Sequence, residues 1–408
     1  MKIIKAGNDV FSFDYYIIFL LMLSSFLIPD YFMRMIPAFG MSLTFLSLSI
    51  SLLYIALNYK KVDLLVILGV NIYLIWFLIT TFITNRANVV PYLFQEWKTF
   101  ILCFVVSCIV HEKKVNKVAF IRVIRDVTLI FFILNLMLSI IYRNGIPNGN
   151  MVFNGGIDSY YLYGNVNAMV RAIFPGILCS MLLDKMHKQN LSVSTFIFFS
   201  GFIFIFLYVY HMMTGLLALV VLVLWCTFKN VILKHFKLIY SLYILIISFV
   251  QFGILQLANI GNGWITSVAL FLGKSTDFSG RYYVWRRALL LFKQSPEFGW
   301  GFINYENLKA LILNGYGAHN YILDTAINGG YIGIILFIGI ILMPLFMLRI
   351  DFVTNQQYLL LGGWVSLLTM LISEPLRGWE FLFVPILCCV LIMNRTNYQK
   401  DRLLKISN

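Results

Sequence analysis

Apolar runs of about 16 to 23 residues recur from one end of this chain to the other, each long enough as a helix to cross a hydrocarbon core of about 30 Å. They fall at 15–33, 36–57, 62–84, 92–110, 124–142, 166–183, 192–210, 214–229, 238–257, 330–348, 357–374 and 379–394. The stretch from Leu191 to Phe228 is too long for one span and divides at His211-Met212-Met213-Thr214, a tight turn. In lipid every backbone N–H and C=O must be bonded internally, so these runs predict helices. The chain is 61% hydrophobic and 12% charged, whereas soluble domains are roughly 25% charged. The expectation is an all-α, polytopic membrane protein of about twelve spans, a single transmembrane domain over 1–408 with one long loop at 258–328.

Charge placement gives an orientation, because short cytoplasmic loops collect Lys and Arg. Lys60 and Lys61, Lys113, Lys114 and Lys117, Lys185 and Lys188, Lys229, Lys234 and Lys237, and Arg349 fall in alternate loops, as do Lys2 and Lys5 at the start and Arg395 and Arg402 at the end. The loops between them carry few cations, Arg34, Arg86, Arg143 and Arg377. Both termini are therefore expected in the cytoplasm and the long loop outside it. Most of the net charge of +14 is orientation signal, and no nucleic-acid partner is implied. The first residues lack a cleavable signal pattern, so the first span is expected to be retained. All six cysteines lie in spans, no metal-ligand spacing occurs, and there is no P-loop or dinucleotide fingerprint. No cofactor and no metal are expected, and energy must come from the substrate.

Ionisable side chains in a span cost about 2.5–3.5 kcal/mol on insertion scales, which makes each a functional candidate. Arg171, just inside the sixth span, can face a lipid phosphate or snorkel to headgroups. Glu96 and Lys98 sit near the outer end of the fourth span and can pair or reach the interface; Asp126 lies beside Arg122 and Arg125 as an ion pair. Glu374, next to the helix breaker Pro375, can orient an acceptor or pair with Arg377.

The long loop concentrates the remaining chemistry in SGRYYVWRRALLLFKQSPEFGWGF and AHNYILDTAINGGYIG. Ser279 and Gly280 start a helix that Pro296 stops. On a helical wheel Val284, Trp285, Ala288, Leu291 and Phe292 gather on one side, and Arg286, Arg287, Lys293 and Gln294 on the other. The helix is expected on the membrane surface or over a cavity mouth, anchored by Trp285. Arg281 points with the apolar side, where a guanidinium needs an anion such as phosphate unless the first turn frays into solvent. Gly299 and Gly301 permit close approach of backbone to a ligand or a helix. A second helix is expected from near His319 to Gly329-Gly330, directly before the tenth span. At its N-terminus the helix dipole favours neutral imidazole, which a general base requires, although a lone histidine is more often structural. His111, His187 and His235 lie among cytoplasmic lysines; His211, in the tight outer turn, stays a candidate.

These residues resemble the Wzy-type O-antigen polymerases and O-antigen ligases. The resemblance runs through Gly280, Arg281, Trp285, Pro296, Gly299 and Gly301, then His319-Asn320, then Gly329, Gly330 and Gly333, with GNVN at 164–167 close to a Gly-Asn-Pro-Asn pattern. One place departs: where the family often has Ser-Arg between two spans, this chain reads Met212-Met213-Thr214-Gly215. Either Arg171 or His211 replaces that arginine, or Arg281 with Arg286 or Arg287 holds the pyrophosphate.

The resemblance implies a GT-C-like membrane glycosyltransferase that moves glycan from an undecaprenyl-pyrophosphate-linked oligosaccharide to an acceptor hydroxyl, inverting and without a metal. Arg281 and Arg171 would stabilise the pyrophosphate and His319 would activate the acceptor; Asn320, Arg286, Arg287, Glu374 and His211 are further substrate-binding candidates. Membrane lipids, a chain-length regulator and a flippase of the same pathway are the implied partners. A polymerase of O-antigen, capsular or exopolysaccharide repeat units is preferred, with a ligase, a lipid-linked oligosaccharide flippase and a non-catalytic scaffold as alternatives.

Overall fold

Every expected span coincides with helix over most of its described length. The computed structural model describes all residues except 1–2, 7–8, 144, 147–150, 154–155, 159–160, 165, 206, 208–212, 261–263, 272–280, 305–306, 309–310, 313–316, 372–379 and 408. A short hairpin, β1 (Ile3–Ala6) and β2 (Asp9–Ser12), precedes α1 (Phe13–Leu27), α2 (Asp30–Met35), α3 (Pro37–Leu57), α4 (Leu64–Val70), α5 (Ile72–Thr84), α6 (Val89–Val110) and α7 (Lys114–Ile141). A second hairpin, β3 (Met151–Phe153) and β4 (Gly156–Asp158), leads to α8 (Val166–Met186), α9 (Val193–Phe204), α10 (Met213–Thr227), α11 (Lys229–Lys234), α12 (Phe236–Ile260) and α13 (Trp264–Phe271). Then come α14 (Arg281–Gln294), α15 (Tyr321–Met347), α16 (Asn355–Met370) and α17 (Glu380–Ser407).

Among the described residues five helices are long and apolar enough to span a membrane: α3, the segment Arg86–Val110, α7, α12 and α15. The pair α4–α5, bent by 60° at Asn71, would make a sixth, while α1, α9 and α10 are shorter apolar helices. The outer surface is apolar, with Leu57 75% and Phe346 80% exposed. Apolar exposure on this scale is what a lipid-facing surface carries, because a soluble monomer keeps contiguous apolar patches small.

Two of the interruptions have local causes. Pro29, without an N–H, ends the first predicted span and leads into α2. At Asn71, fully buried, both the backbone N–H (3.1 Å) and the side-chain amide (2.8 Å) donate to the Ile67 carbonyl at the bend.

The largest core runs through α5, α8, α10, α16 and α17 and is rich in aromatics. Small residues let helices approach: Gly362 lies against Trp225 and Gly363 against Leu178. A separate core joins Ile254, Leu257 and Ala258 of α12, Val284, Trp285, Ala288 and Leu291 of α14, and Leu323 and Ile327 of α15.

The long loop is fastened to this scaffold by its own backbone. Inside α15 the chain breaks at Gly330, with φ 63° and ψ −159°. In a continuous helix the Tyr331 amide would bond the Ile327 carbonyl; here Tyr331 donates to the Pro296 carbonyl (2.8 Å) and Trp300 N donates to the Ile327 carbonyl (2.7 Å). Gly301 N and the Thr80 hydroxyl both donate to the Asn328 carbonyl, at 3.0 and 3.1 Å, and Trp76 Nε1 to the Gly329 carbonyl at 2.8 Å. A Cβ on Gly330 would lie 2.2 Å from the Glu297 oxygen, and one on Gly299 2.6 Å from the backbone of residues 327–329. Of the PEFGWG glycines, Gly299 is therefore required by close approach to the α15 backbone, and Gly301 by close approach to the α5 backbone at Thr81.

Gly330→Val combines a forbidden φ, worth about 1–3 kcal/mol, with a backbone clash. It should abolish a monodisperse detergent-solubilised protein, whereas Gly339→Val, where nothing lies within 4 Å, should keep the wild-type melting temperature.

Candidate functional site

Helix α14 follows the amphipathic expectation closely. It ends at Gln294, before Pro296; Val284, Trp285, Ala288 and Leu291 are buried, and Arg286 and Arg287 are exposed. The anchoring role expected for Trp285 is corrected: it is 2% exposed and packed among α12 and α15 side chains, so the helix is held by protein contacts and not by the indole at a lipid interface. Helix α14 rests on α12 and α15, which puts Arg281, at its first residue, beside the loop before α15.

That loop carries His319. The residue adopts φ 47°, a left-handed conformation uncommon outside glycine. The next residue, Asn320, and not His319, caps α15, accepting from Leu323 N at 3.0 Å. The turn wraps the buried carboxylate of Asp324, whose Oδ1 accepts from Ala318 N at 2.8 Å. Gly317, at φ 105°, lies where a Cβ would come 2.9 Å from both Asp324 oxygens. Tyr321 N donates to the Leu371 carbonyl (2.9 Å) and so ties the start of α15 to the end of α16.

Asn320 and Gln251 of α12 exchange two amide hydrogen bonds: Gln251 Nε2 donates to Asn320 Oδ1 at 3.0 Å and Asn320 Nδ2 donates to Gln251 Oε1 at 2.7 Å. Both are buried. The Asn320 amide, a substrate-binding candidate in the sequence, is thus committed to protein partners. Gln251 was missed by the sequence reading; its only signal was an amide within an apolar span. Asp324 was missed as well.

The imidazole of His319 is half-buried, and its Nδ1 is buried with no hydrogen-bond partner among the described residues. Burial, reinforced by the positive charge of Arg281, lowers its pKa from 6.5 to about 3. The imidazole is therefore neutral at physiological pH, as the helix-dipole argument expected, but through desolvation and a neighbouring cation. A neutral ring with an unsatisfied buried nitrogen can accept a proton or hydrogen bond from a ligand hydroxyl. The cation alongside can meet an anion.

The other candidates are dispersed. Arg286 and Arg287 face outward on α14, with Arg286 Nη1 donating to the Tyr282 hydroxyl at 3.4 Å. Arg171 lies on α8, near its start. His211 and Glu374 fall outside the described residues. In the fourth span Glu96 is buried and accepts from Gln95 and Thr99, and Lys98 donates to the Ser25 carbonyl at 3.2 Å. Asp126 accepts from Arg122 and Arg125, as expected. Among the described residues no three His, Cys, Asp or Glu side chains form a metal-sized group.

The fold and this site define a helical, polytopic membrane protein with a neutral histidine and an arginine where a long loop docks on the bundle. Residues 195–338, which contain both, match the family model described as O-antigen ligase, so this segment is similar to that family. An uncharacterized protein of Haemophilus influenzae is 29% identical over 106 residues, covering 24% of this chain and 27% of that protein. No solved structure matches.

Two measurements follow. In histidine-labelled protein the His319 resonance should stay that of neutral imidazole down to about pH 3, and in Arg281→Gln it should titrate at higher pH, because the opposing cation is gone. Since the unfolded chain binds this proton near pH 6.5 and the folded one does not, the His319 contribution to stability is unchanged above pH 6.5 and falls as pH drops towards 3. Separately, Gln251→Leu should cost about 1–3 kcal/mol in thermal unfolding by stranding the Asn320 amide.

Proposed function

We propose that the protein is a membrane glycosyltransferase that extends glycan carried on undecaprenyl pyrophosphate, with His319 as general base and Arg281 as the group that meets the pyrophosphate. The observation that carries this reading is the pair itself: a neutral imidazole with an open buried nitrogen beside a guanidinium, within the segment matched to the O-antigen ligase family. In the reaction the acceptor oxygen forms a bond to the anomeric carbon on the face opposite the departing oxygen, which inverts the configuration. The anomeric C–O bond breaks with its electron pair going to the lipid pyrophosphate, and the acceptor's proton passes to His319. Lipid pyrophosphate is a good leaving group, so the protein's work is positioning, charge stabilisation and proton removal.

Asn320 acts through Gln251, fixing the His319 loop to α12. Arg171 is the candidate for the second cation, in place of the arginine missing from the turn at 212–215; Arg286 and Arg287, exposed on α14, would guide the anionic headgroup to the mouth of the site. His211 and Glu374 remain proposed acceptor-side or phosphate contacts. We infer a location in the bacterial cytoplasmic membrane with both termini inside, and a pathway shared with a flippase and a chain-length regulator. Repeat-unit polymerisation is the preferred reaction over ligation, because no feature of the chain points to a lipopolysaccharide-core acceptor.

The test is incubation of purified protein with a lipid-linked repeat unit. A ladder of products supports a polymerase; a single transfer to a different acceptor supports a ligase; movement of substrate across vesicles with no new glycosidic bond would overturn the enzyme reading in favour of a flippase. His319→Ala should reduce turnover by about 10²–10⁴-fold, the range for loss of a general base. Arg281→Ala should reduce it by about 10²–10³-fold as a lost charge stabiliser. Both variants should insert normally, and wild-type product length in both would remove the assignment.

A further inference from the structure

Asp324 follows His319 in the chain, on the first turn of the helix that the histidine precedes. It is 1% exposed, among the buried side chains of Tyr321, Leu323 and Ile327, where the surroundings favour an apolar residue. A carboxylate buried there is costly unless it is engaged, and the positive end of the helix offsets part of that cost. Helical side chains lean towards the N-terminus, so this one turns back over the loop that enters α15. Its Oδ1 accepts from Ala318 N at 2.8 Å. Gly317 closes over the same carboxylate, at φ 105° and with room for no Cβ, which would lie 2.9 Å from both oxygens.

His319 therefore sits between two fixed points. Before it, the Ala318 amide is held by Asp324 from within α15. After it, the Asn320 side chain is held by Gln251 of α12 and by Leu323 N. The Asp324 N–H also donates to the Asn320 carbonyl at 3.0 Å, so one residue grips the turn from both sides of the histidine. A left-handed φ of 47° at a residue other than glycine persists only where the surroundings hold it. The burial of the imidazole, and its place near Arg281, follow from that backbone conformation.

We propose that Asp324 is a positioning residue for His319: its carboxylate oxygen fixes the 317–319 backbone and thereby holds the imidazole buried beside Arg281. Asp324 acts through the turn and takes no proton from the substrate. What it supplies is an acceptor oxygen, so an amide in its place serves and an apolar side chain of the same size does not. The kinetic consequence rests on His319 being the general base, as proposed above; the conformational consequence does not.

Two readouts on the detergent-purified full chain test it. The first is the His319 ring resonance in histidine-labelled protein at about pH 5, between the folded value of about 3 and the ordinary 6.5. The wild-type ring should be neutral there, Asp324→Leu should release the turn and give a protonated ring, and Asp324→Asn should keep it neutral. The second is turnover of a lipid-linked repeat unit. Asp324→Leu should lower kcat by about 10²-fold, the cost of a misplacement of about 1 Å, with KM little changed, and Asp324→Asn should recover most of the rate. A neutral ring in Asp324→Leu, or a protonated one in Asp324→Asn, overturns the proposal. So does a neutral ring in Gly317→Ala, whose Cβ would displace the carboxylate; that variant decides should Asp324→Leu fail to fold. A protonated ring with undiminished kcat in Asp324→Leu would remove His319 as the base while upholding Asp324 as the residue that holds it. Absence of turnover by the wild type would overturn the glycosyltransferase reading, and the ring resonances would still decide the role of Asp324.

Discussion

The exchange of backbone hydrogen bonds at Gly330 holds the rest of the site in place. A helix broken within apolar surroundings turns an amide and a carbonyl away from each other, and lipid offers neither a partner. Here the segment 296–301 supplies both, receiving Tyr331 N and donating Trp300 N to Ile327. The break and the loop therefore stabilise each other. Without the loop the kink would strand polar groups, and without the kink the loop would have no edge to bond. Thr80 and Trp76 of α5 close the same junction from the opposite side.

From that junction the geometry propagates to the chemistry. Helix α14 ends just before the clamp, so its position over α12 and α15 is set, and Arg281 at its other end comes to the loop before α15. The Gln251–Asn320 pair then fixes that loop to a membrane helix by two hydrogen bonds in a dry interior, where unpaired amides are costly. The buried Nδ1 of His319 has no hydrogen-bond partner among the described residues. A site built this way is preorganised. The Gln251 and Asn320 amides satisfy one another.

The sequence made much of this legible. Apolar run length located the helices, because backbone satisfaction in lipid permits little else. The wheel through Val284, Trp285, Ala288 and Leu291 gave the buried face of α14, and Pro296 its end. What failed were inferences from local position alone. Trp285 looked like an interfacial anchor since its apolar face was visible but its cover was not. Asn320 looked like a substrate contact, yet its partner lies 69 residues away on α12. His319 was expected to be neutral because of a helix dipole, whereas burial and Arg281 depress its pKa.

By itself, then, the sequence determined that this is a helical membrane protein and where its helices run, and it singled out Arg281 and His319 as candidates. Hydrophobic periodicity and length are local, and they act before any tertiary contact forms. Only the tertiary structure decided which polar groups are spent on one another and which are left over. That division depends on partners distant in sequence, such as Gln251 for Asn320 and Trp300 for Ile327, which no local pattern encodes.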